Sequence, residues 1–227
     1  MKLGGKDCVA LSDRIGVMVN DDLTSKLQCL YAAIGATEET DVSKFMPKVI
    51  NDGSRVGFYQ DWSGGRSDGE LANTAIMLIC NIANLRDLLK KWCVRNGKDK
   101  TKVEDAFKRS QELKIIYDLS NNDRHGYDPK KRGNSGKSPR VDRITSIMQM
   151  TTNPEKGSSI SLTLNRQGVP QIAGSGTAKV IITGDILDRA GNKIGDLHET
   201  ALEAVKIWES VLGDFGVKLP SDTPSNI

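Results

Sequence analysis

Residues 67–97 read SDGELANTAIMLICNIANLRDLLKKWCVRNG, and this stretch decides the class of the fold. Leu71, Ala75, Leu78, Ile82, Leu85, Leu89 and Trp92 recur at alternating steps of four and three, which lines one apolar stripe along an α-helix. Ser67 and Glu70 stand at capping-box spacing before the stripe, and Gly97 closes it. The spacing predicts a helix over 71–95 with one face to bury, so other helices are expected beside it.

Upstream, Asn20, Asp21 and Asp22 offer capping oxygens, and Leu23, Leu27, Leu30 and Ile34 follow at helical steps up to Gly35. A second helix is expected through Val42, Phe45, Met46, Val49 and Ile50, shortened or kinked by Pro47. The glycine-rich stretch 51–69 carries Phe58, Tyr59 and Trp62 and reads as a structured loop whose rings pack on the helices. Downstream, Val103, Phe107, Ser110, Leu113, Ile116 and Tyr117 share one side of a helix that starts at Thr101 and runs out at Asn121 and Asn122. Four such helices imply a bundle.

The period changes after Gly126. DPKKRGNSGKSPR (128–140) has no apolar residue and reads as a solvated basic loop. Beyond it Ile160, Leu162 and Leu164 alternate with hydroxyl residues, Val180, Ile182 and Ile186 mark a longer strand, and Ile144, Met148 and Met150 suggest a third. Strands over 159–165 and 178–188 are expected in one sheet, with a hairpin turn at Ala190, Gly191 and Asn192. Asp196 and Glu199 repeat the capping-box spacing before Leu197, Ala201, Ala204, Val205, Trp208, Val211 and Leu212, a final helix that should pack on the sheet. The expectation is therefore an α+β chain: an N-terminal helical bundle (1–128), a basic loop (129–142), a small antiparallel β-sheet with a C-terminal helix (143–216), and a flexible tail (217–227).

The chain has 227 residues, 27% of them charged and 37% hydrophobic. That mixture is too apolar for a disordered chain and too charged for a membrane one. The start lacks an apolar run of signal-peptide length, and no window forms an uncharged spanning segment, so a cytoplasmic protein is expected. Cys8, Cys29, Cys80 and Cys93 form no C-x-x-C pair and read as reduced packing residues. With two histidines and no H-x-x-x-H spacing, neither a metal site nor a cofactor is implied.

Charge is uneven along the chain. Residues 86–143 hold seventeen Lys/Arg against nine Asp/Glu, a net +8, while the remainder is −5. A basic centre points to an anionic partner, nucleic-acid phosphate first, with Lys130, Lys131, Arg132, Lys137 and Arg140 as its contacts. GNSGKS (133–138) echoes a phosphate-binding loop, but Lys131 stands where the first glycine is needed, and neither a strand before nor a helix after is expected. The densest polar cluster is SNNDRHGYD (120–128). Either it caps a helix, or His125 serves as general acid or base toward a ribose hydroxyl while Arg124 or a nearby lysine holds the phosphate. His198, in the first turn of the last helix, is expected to be exposed or capping.

A helical bundle with a late polar signature that includes a histidine resembles the HEPN group of small helical domains, found in prokaryotic RNA-cleaving toxins, defence proteins and their inactive relatives. The likeness covers residues 20–128. It implies RNA as partner and metal-independent cleavage as activity. The HEPN pattern places four to six residues between Arg and His, which would put Arg at 118, 119 or 120; this chain has Asp118, Leu119 and Ser120 there, with Arg124 adjacent to His125 instead. The alternative is a non-catalytic subunit that binds a protein partner or a second copy in a larger prokaryotic assembly.

Overall fold

The helix read over 71–95 is α2 (Asp68–Arg95), and both of its ends form as the sequence implies. The Ser67 hydroxyl accepts the Glu70 backbone N–H, and the Glu70 carboxylate accepts that of Ser67 at 2.8 Å. At the far end Gly97 takes φ +61°, which lets the Lys98 N–H reach the Cys93 carbonyl at 2.8 Å. This is a computed structural model, describing residues 9–125 and 133–219, without the side chains of 9–22 and of His125.

Around α2 lie α1 (Val9–Ala36), α3 (Thr101–Arg109), α4 (Gln111–His125) and α5 (Leu197–Asp214). The helix expected from Thr101 to residue 120 is two helices, because Ser110 interrupts it. Its backbone is extended (φ −88°, ψ 128°), and its hydroxyl accepts the Leu113 N–H at 3.0 Å. A serine that caps the next turn ends the previous one.

The stretch 42–50 is a correction. Only a 3₁₀ turn, Val42–Lys44, forms there, followed by a hairpin of β2 (Lys48–Asn51) and β3 (Val56–Tyr59). Pro47 and β-branched Val49 and Ile50 disfavour helix, and the Asn51, Asp52 and Gly53 turn supplies the reversal, with the Asp52 carboxylate accepting the Ser54 and Arg55 N–H groups. The rings do not all pack down as expected: Phe58 and Tyr59 are exposed, and only Trp62 finds a partner, Phe45, at 5.7 Å between ring centres.

The chain is mixed α+β, with small antiparallel sheets. β7 (Thr177–Leu187) is the central strand of the largest. One of its edges pairs along its length with β4 (Arg140–Thr151). The other pairs with the two-residue β1 (Glu38–Glu39) and then with β8 (Lys193–Asp196) across the expected hairpin turn. β5 (Ile160–Leu164) and β6 (Pro170–Gly174) form a separate hairpin, so 159–165 is a strand but not in the sheet of 178–188. The order of helices, sheet and final helix thus holds in part, since β1 and the β2–β3 hairpin come between α1 and α2.

The core joins both halves. Leu27 and Ile34 of α1, Leu78 and Ile82 of α2, Ile116 of α4 and Ile182 of β7 belong to one buried cluster with Trp208 of α5. Each such side chain contributes about 1.5–3 kcal/mol by leaving water. The final helix lies at the centre, packing against α2, α3 and α4 as well as β7. Tyr31 of α1 donates to Glu209 of α5 at 2.8 Å. In the segment after α5, Val217 and Leu219 pack against the core. No helix among the described residues is long and apolar enough to cross a membrane.

Candidate anion-binding site

The loop expected to be free and solvated is strapped to α4. Asp118, 2% exposed, turns its carboxylate toward the loop. It accepts the backbone N–H groups of Asn134 (2.9 Å) and Ser135 (2.8 Å), the Asn134 amide and the Ser135 hydroxyl. One turn away Asn122 donates to the Pro139 carbonyl at 2.8 Å, and Gln111 donates to the Ser135 carbonyl at 3.0 Å. Ser138 and Pro139 are buried. Two of the backbone amides of 133–138, those of Asn134 and Ser135, are spent on the chain's own carboxylate, and β4 starts at Arg140, inside the span expected to be loop.

That strap sets three cations. Lys137 is exposed on it, and its carbonyl accepts the Arg189 N–H at 3.1 Å, which docks the β7–β8 turn beside it. Arg140 leaves the first residue of β4, with Nη2 3.8 Å from where a Cβ on Gly191 of that turn would stand. Arg140 and Arg189 line a cavity of about 610 Å³ whose apolar lining comes from Ile76, Ile79, Leu119, Val141 and Ile144. Asn122 and Asp123 of α4 also line it. Among the described residues no ion pair neutralises Lys137, Arg140 or Arg189. Arg189 lies outside the basic window of the sequence, so no local signal could have found it.

Other members of that window serve packing instead. Arg86 lies over the Phe107 ring at 3.8 Å and binds Glu104 at 2.7 Å, and Lys90 binds the same carboxylate at 2.7 Å. These two cations hold the Glu104 carboxyl below its ordinary value. A second cleft of about 400 Å³ between α1 and α2 carries Lys26, Lys91 and Arg95, but Asp87 shares it.

Of the catalytic pair, Arg124 donates to Asn84 Oδ1 of α2 at 2.6 Å. His125 is the last residue of α4; its side chain, like Lys130, Lys131 and Arg132, lies outside the described residues. His198 is a correction: it is 2% exposed, not at the surface. Its Nε2 lies 3.0 Å from Glu38 Oε1, off the line of a good hydrogen bond, and Lys179 reaches the same oxygen at 2.8 Å. Burial would raise the Glu38 carboxyl, but His198 and Lys179 hold it below its ordinary value. The cluster joins residues 141 and 160 positions apart in the chain, which no local pattern shows, and its burial fits a clasp between β1, β7 and α5. Among the described residues no three His, Cys, Asp or Glu side chains group to hold a metal ion. Neither a protein-family model nor a curated protein nor a solved structure matches the chain.

Proposed function

We propose that the chain binds RNA or another polyanion, with phosphate held by Lys137, Arg140 and Arg189. The observation that carries this reading is that Arg140 at the start of β4 and Arg189 of the β7–β8 turn line one apolar cavity without an ion-pair partner among the described residues, with the exposed Lys137 three residues before Arg140 and its carbonyl bonded to the Arg189 N–H. Asp123 shares the cavity but forms no ion pair with either arginine, so their mutual repulsion is left for an anion to relieve. The HEPN resemblance adds a catalytic arm in a prokaryotic defence or toxin setting. There His125 takes the proton of a ribose 2′ hydroxyl as that oxygen attacks phosphorus and the bond to the 5′ oxygen breaks, while Arg124, steadied by Asn84, holds the phosphate.

The test is anisotropy of a labelled single-stranded RNA titrated with the full chain from 50 to about 300 mM salt. Changing Lys137, Arg140 and Arg189 together to Ala is expected to weaken binding and flatten the slope of log affinity against log salt by about 2, near 0.7 per lost phosphate contact. An unchanged slope would remove these residues from the interface. Cleavage is read on the same RNA by gel, with His125→Ala expected to lose on the order of a hundredfold or more in rate while affinity persists.

One observation favours the second reading, a non-catalytic interaction subunit. The β2–β3 hairpin exposes Val49, Val56 and Phe58 on one face and Ile50 and Tyr59 on the other, and the first, more apolar face suits docking on a protein partner or a second copy. Association by that face would persist at salt concentrations that release RNA.

A further inference from the structure

We infer that the cavity between α2, α4 and the start of β4 holds one nucleoside phosphate, base inward, and prefers guanine. This rests on the anion-binding reading of Lys137, Arg140 and Arg189 and names the unit they hold. At about 610 Å³, with an apolar floor and few polar groups, the space has the size and character of a small-molecule site. The phosphate end is set by Arg140 and Arg189, forked donors in the lining that suit phosphate oxygens.

The base end is set by α4. Asn122 spends its amide nitrogen on the Pro139 carbonyl, which leaves Oδ1 as the part of that side chain able to accept a hydrogen bond from a ligand. Asp123 lines the same space and makes no hydrogen bond or ion pair among the described residues. Two neighbouring acceptors above aliphatic walls call for a flat ligand with paired donors on one edge. Guanine offers N1–H and N2–H side by side, which one carboxylate accepts together. Adenine has a single exocyclic donor group flanked by acceptors, and uracil has one N–H between two carbonyls. An alkyl phosphate would cover Asn122 and Asp123 without satisfying them, at a cost of about 1–3 kcal/mol for each group left unpaired. Inorganic phosphate would leave the apolar floor empty. The free nucleotide and a guanosine within RNA share this chemistry.

The experiment is calorimetric titration of the full chain with guanosine, adenosine and uridine 5′-monophosphates, inorganic phosphate and dodecyl phosphate. Guanosine monophosphate should bind once per chain, at least tenfold tighter than the other four. Asp123 is exposed, so Asp123→Asn should leave the fold intact by circular dichroism. That variant should lose the guanine preference while adenosine monophosphate affinity stays within about twofold. Arg140→Ala should weaken guanosine monophosphate at least fivefold. A guanosine-containing RNA should compete with the nucleotide and a uridine-only RNA should compete at least tenfold less well.

Inorganic phosphate binding as tightly as the nucleotide would reduce the site to a surface cation pair. Dodecyl phosphate binding tightest would make it an amphiphile site, and a guanine preference that survives Asp123→Asn would remove the carboxylate from recognition. Each of these overturns the inference. Uridine-only RNA that binds with a salt slope lost in the triple variant, beside a nucleotide that does not bind, overturns the cavity assignment and leaves polyanion binding standing. If neither RNA nor nucleotide binds, both fall.

Discussion

Asp118 and Ser135 are joined twice across seventeen residues: the buried carboxylate accepts the Ser135 backbone N–H at 2.8 Å and its hydroxyl at 2.7 Å. Because the same carboxylate also holds Asn134, one side chain fixes the segment that leads to Lys137 and Arg140. Asp118→Ala leaves two loop amides without their acceptor, and a loss of about 3 kcal/mol is expected, seen as a lower urea midpoint at constant slope. Tryptic cleavage after Lys137 should speed up in the same variant. Unchanged cleavage would mean that the strap is held by Asn122 and Gln111 instead.

Gly133 and Gly136 both have positive φ, +67° and +70°, yet they should respond differently to alanine. A Cβ on Gly133 would stand 2.6 Å from Asp118 Cγ, whereas one on Gly136 meets nothing within 4 Å. Gly136→Ala should therefore lose only the conformational term, about 1 kcal/mol. Gly133→Ala should lose that and also displace the carboxylate from its four donors, about 3 kcal/mol in all. Equal urea midpoints for the two variants would contradict the contact.

Arg86 tests which cations of the basic window belong to the fold. Its guanidinium lies over the Phe107 ring and pairs with the Glu104 carboxylate, so Arg86→Ala should destabilise by about 2 kcal/mol through lost packing and a Glu104 carboxylate left to Lys90 alone. The salt slope of RNA binding should not change. A flatter slope in Arg86→Ala would show that charge is recruited from this side of the molecule as well.

How much of this was legible follows from the range of the interactions involved. α2 and α5 could be read because their stripes at steps of three and four are buried along their length, as Ile82 and Trp208 show. Residues 42–50 also carry apolar side chains at helical spacing, but the hairpin they form is exposed on both faces, so no alternation was there to betray it. Lys137 and Arg140 could be proposed from the basic loop. Their neighbour Arg189 could not, because a turn 49 residues beyond Arg140 is brought back only by the pairing of β4 with β7. His198 looked like a first-turn surface residue because Glu38, which meets it, lies on a two-residue strand with no periodic signal of its own.

The Glu38 clasp should give the protein an acid-labile component. Its carboxylate is 12% exposed and shared by Lys179 and His198, and these hold its folded value below the ordinary 4.5. For a carboxyl lowered by folding, the folded state binds fewer protons than the unfolded one, so stability rises with pH through that interval. The contribution is therefore complete above the ordinary carboxylate value and is lost as pH falls through the lower folded one. Glu38→Gln keeps the shape and removes the charge. It should lower stability at pH 7 by about 2 kcal/mol, less than for a fully buried pair because Glu38 and Lys179 keep some solvent contact. The gap between wild type and variant, read from urea midpoints at pH 7, 5, 4 and 3, should hold down to about pH 5 and then close toward pH 3. A gap that stays constant to pH 3 would mean that Glu38 acts through packing alone. A gap that widens on acidification would reverse the sign of the linkage and place the protonated carboxyl, not the carboxylate, in the folded clasp.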